Sequence, residues 1–102
     1  MDDILMYCEF VKRGKPAANL PLQERLIESA LKIAHGVDGV QTYIEDLDAG
    51  WVTFWIYKHP HILDVIKAVP QVPKTAYDHW VLGKLFGYEE VAIGEYIASR
   101  SV

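Results

Sequence analysis

The sequence predicts a helix-rich α+β domain in the order α-α-β-β-α-α-α, with a central antiparallel β-hairpin packed on helices. Three observations carry this. Apolar residues recur at helical spacing in several segments, two β-branched and aromatic runs flank Asp48-Ala49-Gly50, and glycine or proline punctuates the segment ends.

Residues 2–13 are predicted as a helix, because Ile4, Tyr7, Cys8 and Val11 recur at i, i+3, i+4 and i+7. Acids open this segment, bases close it and Gly14 follows, as the helix macrodipole favours. Ile4, Met6, Cys8 and Phe10 also alternate, which is the pattern of a strand. Lys15–Leu20 reads as a connector, since Pro16 pushes the residue before it into extended geometry. A second helix is expected from about Pro21 to His35, with Pro21 in its first turn and Leu22, Leu26, Ala30, Ile33 and Ala34 on one face. Glu28 stands four residues before Lys32 on the other face, the favourable order for such a pair.

Val40–Asp46 and Trp51–Lys58 read as the two strands of a hairpin. On the second strand Val52, Phe54 and Ile56 alternate with Trp51, Thr53, Trp55 and Tyr57, so both faces are apolar. A short helix follows from His59-Pro60-His61 and stops before Pro70, with Ile62, Val65, Ile66 and Val69 on its apolar side. Thr75 and Asp78 have the spacing of a capping box for a fourth helix that ends near Phe86. A fifth is expected over about 89–99. Gly83 and Gly94 inside these helices each cost about 1 kcal/mol relative to alanine, so close helix packing is expected at both.

At 102 residues, 1–102 reads as a single domain, large enough to bury roughly two-thirds of its unfolded surface. The 51% hydrophobic content excludes intrinsic disorder for the body of the chain. One cysteine, Cys8, cannot form an internal disulfide and suggests a reducing compartment. Asp2 and Asp3 stand where a signal peptide would be basic, and the apolar runs fall short of the ~20 residues of a membrane span. A cytoplasmic, membrane-free protein is therefore expected. The formal charge of -4 disfavours phosphate backbones, so nucleic acid is an unlikely partner.

Several groupings could carry chemistry. Arg13 and Lys15 flank the Gly14 turn, with Lys12 before them and Asn19 just ahead of the expected second helix, a plausible cradle for an anion. Cations at a helix C-terminus also suit its dipole without any ligand. His59 and His61, with Asp64 and the Asp78-His79 pair, are the residue types that bind metal, but their spacing fits no standard ligand set, so no metal or cofactor is expected. Cys8 lies in an apolar run, and Ser29, Ser99 and Ser101 lack a nucleophile elbow. Asp46 and Asp48 suit turn geometry. A helix-turn-helix reading of the last two helices fails because Glu89, Glu90 and Glu95 would face the phosphates.

The remaining feature is aromatic. Tyr43, Trp51, Trp55 and Tyr57 should project from the hairpin on the side opposite Phe54, where they form either a partner surface or the floor beneath C-terminal helices. Two functions follow as expectations. The first is a protein-binding or regulatory module, with self-association as one form, using the aromatic hairpin surface. The second is a small enzyme or sensor for a phosphorylated metabolite or nucleotide, with Arg13 and Lys15 holding the anion and His59 or His61 moving protons.

Overall fold

The computed structural model describes residues 2–100. Its elements run α1 (Asp2–Lys12), β1 (Ala17–Gln23), a 3-10 turn (Glu24–Leu26), α2 (Ile27–His35), β2 (Gln41–Asp48), β3 (Trp51–Tyr57), α3 (Pro60–Ala68), α4 (Ala76–Leu85) and α5 (Glu90–Arg100). The helix-rich α+β class and the central hairpin are as expected. Among the described residues no helix is long and apolar enough to cross a membrane.

The sheet has three strands rather than two, in the order β1-β3-β2, with both neighbours antiparallel to β3. The expected connector at 15–20 and the first residues of the expected second helix form β1, which pairs from Ala17 opposite Tyr57 to Gln23 opposite Trp51. The helix that follows starts at Ile27, not Pro21. The physical reason is that Ala18, Leu20 and Leu22 alternate onto one face, and β3 offers them a free ladder edge. Pro21 is tolerated because β1 is an edge strand, where a missing N–H costs least.

The hairpin turn is Ala49-Gly50. Gly50 adopts φ 77°, and Asp48 accepts a 2.7 Å hydrogen bond from the Ala49 N–H. Leu47 is an extra residue in β2, since Asp46 faces Val52 while Asp48 faces Trp51.

Each face of β3 has its own core. Val52, Phe54 and Ile56 pack with Ala18 and Leu22 against Ile4, Cys8 and Val11 of α1 and Ala30 and Ala34 of α2. Trp55 and Tyr57 pack with Ala17 beneath Ile66 of α3 and Val81 and Leu85 of α4. The architecture is therefore helix, sheet, helix, with α5 outermost against α4. The capping box at the start of α4 forms as expected. Asp78 N–H donates to Thr75 Oγ1 at 3.1 Å, and Thr75 N–H donates to Asp78 Oδ2 at 3.2 Å. A further bond from the Lys74 N–H, with those to Thr75, holds the Asp78 carboxyl below its usual range.

Phe54 is fully buried at the middle of the central strand, whereas Trp51 at the strand's start is 40% exposed. Phe54→Ala should therefore destabilise the chain by about 3–5 kcal/mol in urea unfolding. Trp51→Ala should cost well under half as much. Equal losses would mean that the core is not centred on β3.

Candidate functional site

The aromatic residues of the hairpin divide once the helices are in place. Trp55 and Tyr57 are buried at 4% and 7% exposure, so they floor the second core and do not form an open surface. The Trp55 ring stacks on Phe86 with centroids 5.9 Å apart, and its indole N–H donates to Glu45 Oε1 at 2.7 Å. Tyr43 is half-buried beside them, with the Lys67 ammonium 5.4 Å above its ring. Trp51 alone of the four stays exposed.

The residues considered for an anion are brought together only in part. Arg13 and Lys15 are exposed just beyond α1. The Lys15 stem lies against the turn between α4 and α5, close enough that a Cβ on Gly87 would meet its Cγ at 3.5 Å. Its ammonium stands over two rings, 5.4 Å from the Phe10 centroid and 5.9 Å from that of Tyr88. Asn19 is not at a helix start. It is half-buried on β1 opposite Trp55, and it shares with Lys15 a depression of about 230 Å³ that Phe10, Phe86 and Tyr88 also line. His59 and His61 stack at 5.6 Å at the start of α3, outside that depression. Lys58, next to them, reaches the Lys12 carbonyl oxygen at 3.4 Å. Among the described residues none of Lys12, Arg13, Lys15 and Lys58 has a carboxylate partner.

Other candidates stand apart. Cys8 is fully buried on the inner face of α1, and burial, with the Glu9 charge adding to it, pushes its thiol up. Ser101 lies outside the described residues. Among those described, no three of His, Cys, Asp and Glu converge as a metal site would require.

A larger depression lies elsewhere, between α4 and α5. It measures about 460 Å³, and its walls are His79 and Leu82 of α4 and Phe86 at that helix's C-terminal cap, with Tyr88, Ile93 and Tyr96 on the α5 side. Its geometry follows from how few α5 residues reach the body. Ile93 is the one buried residue of that helix, and it sits over Gly83, where an added Cβ would come within 2.7 Å of Cγ1. Tyr88 and Tyr96 keep 58% and 50% of their surface exposed, and His79 meets Tyr96 edge-on at 5.4 Å. The expectation of close packing therefore holds at Gly83 but not at Gly94, where a Cβ would meet nothing within 4 Å.

A polar clasp fixes the start of α5 on the outer side. Glu90 pairs with Lys84 at 2.7 Å and accepts the Trp80 indole N–H at 3.0 Å, while the Lys84 ammonium lies 5.7 Å from the Trp80 ring centre. The bonds from Lys84 and Trp80 hold the Glu90 carboxyl below its ordinary value. The groove thus lies between two helices that meet at the Glu90 clasp, at Gly83 and Ile93, and again where His79 meets Tyr96. Sequence reasoning passed over its residues because apolar side chains encircle α4. Only Gly83, placed where a helix pays for glycine, pointed toward it. Comparison of the chain with protein families, with curated proteins and with solved structures finds no match.

Two outcomes test this geometry. Gly94→Ala should raise stability by about 0.5–1 kcal/mol in thermal unfolding, since the helix gains and nothing is crowded. Gly83→Ala should forfeit that gain because Ile93 must move; equal gains from both would refute the close contact. The Glu90 clasp is complete above the ordinary carboxyl value of 4.5 and is lost as pH falls through the lowered value of the folded chain. In an NMR titration the Trp80 indole N–H resonance should therefore move below pH 4.5, and Glu90→Gln should abolish that movement.

Proposed function

We propose that this chain is a small binding module that holds a bulky apolar side chain of a partner protein in the groove between α4 and α5. The observation that carries the reading is the groove itself: about 460 Å³ walled by Leu82, Phe86, Ile93, Tyr88 and Tyr96, with both tyrosine rings open to water. Ligand sites commonly have this size and this mostly apolar lining, with a few polar groups to orient what enters. Covering exposed apolar wall gains about 25 cal/mol per Å², and His79 is among the polar residues of the lining. Trp51 is exposed on the hairpin but does not belong to the groove.

A second reading, an anionic small ligand held by Arg13 and Lys15 with His59 or His61, is favoured by the unpaired cations at that end of the molecule. It ranks below the first because the histidines stand outside the depression that holds Lys15.

Panning a phage-displayed library of random peptides on the purified chain tests the first reading. Enriched peptides should carry a bulky apolar residue. Their binding should fall at least about ten-fold on Ala92→Trp, which fills the groove from an exposed position of α5 and leaves the melting temperature unchanged. Failure to enrich any peptide, or binding indifferent to Ala92→Trp, would sink the reading. A concentration-dependent dimer abolished by Ala92→Trp would make the partner a second copy of the chain.

A further inference from the structure

We infer that the segment this groove receives carries an acidic residue beside its apolar one, and that Lys15 is the side chain that selects it. The inference rests on the groove reading above and adds the chemistry of the partner. Phe86 and Tyr88 line both the α4–α5 groove and the depression that contains Lys15, so those two rings are walls the neighbouring hollows share. A segment that leaves the groove over Tyr88 passes the Lys15 ammonium, which stands 5.9 Å from the ring centre. An extended chain advances about 3.5 Å per residue, so a carboxylate within about two residues of the buried side chain reaches that ammonium.

Lys15 is suited to the task by its setting. Most surface lysines sweep a wide volume, and ordering them cancels much of what an ion pair gains. Here the stem is laid against the Gly87 turn and the charge is set between the faces of Phe10 and Tyr88, so much of that ordering is already done. No carboxylate of the described residues neutralises it. Arg13, two residues away and also without a carboxylate partner among the described residues, adds the same sign of charge to that corner. A basic residue in the same place on the partner would be repelled, which gives the site a preference as well as an attraction.

The test uses synthetic versions of the peptides that the wild-type chain selects. They should contain aspartate or glutamate within about two residues of the apolar anchor. Converting that acid to its amide should weaken binding about five-fold at low salt and less at high salt. Lys15→Gln should remove the difference between acid and amide peptides, and Lys15→Arg should restore it. Melting curves of both variants should match that of the wild type, as a kept fold requires. Peptides that bind in an Ala92→Trp-sensitive manner but show no acidic preference would overturn this inference and leave the groove reading standing. Acidic peptides indifferent to Ala92→Trp would remove the groove from the function and overturn this inference with it. An acid–amide difference that persists in Lys15→Gln would assign the selection to another cation and overturn the role of Lys15.

Discussion

The structure depends on one strand with no polar face. β3 presents Val52, Phe54 and Ile56 to one side and Trp55 and Tyr57 to the other, and all five are buried. Such a strand is stable only at the middle of a sheet with a layer of side chains on each side. α1 and α2 supply the first layer, and α3 and α4 the second. β1 and β2 satisfy its backbone from left and right. α5 is the element that this demand leaves over; it lies against α4 through Ile93, the His79–Tyr96 ring contact and the Glu90 clasp, and the groove runs between the two helices.

Much of this was legible in the sequence where local chemistry and tertiary demand agree. Thr75 and Asp78 specify a helix start by their own hydrogen bonds, and Gly50 specifies a turn by a backbone angle that few other residues adopt. The side-chain alternation of β3 put Trp55 and Tyr57 opposite Phe54, although nothing local could say what would cover them. β1 was illegible because Pro21 has two good uses, at the first turn of a helix and on an edge strand, and Leu22 with Leu26 fits a helical stripe as readily as Leu20 with Leu22 fits a strand. Only the availability of β3 decides between them. The groove was hidden for a related reason. Gly83 and Gly94 look alike in sequence, and which of them faces a neighbour is set by the crossing of α4 and α5.

Charge shows the same gap between composition and place. The chain carries a net -4, yet Lys12, Arg13, Lys15 and Lys58 gather at the end where α1 stops and β3 leaves the sheet. Neither formal charge nor pI reports that arrangement, because it arises from the antiparallel pairing of β1 with β3. Over distances shorter than the screening length in physiological salt, about 8 Å, it is the local grouping that an approaching molecule meets.

The rim of the sheet has a consequence for how this chain associates. An exposed ladder edge is a standing invitation to β-augmentation, in which a foreign segment is adopted as one more strand. Here one edge has Pro21, which removes a donor, and the other is interrupted at Leu47 and flanked by Glu45, Asp46 and Asp48. A proline, a bulge and clustered carboxylates make both margins poor templates. The sheet is thereby a closed unit, guarded against amyloid-like stacking, and recognition is left to the helices that clothe it.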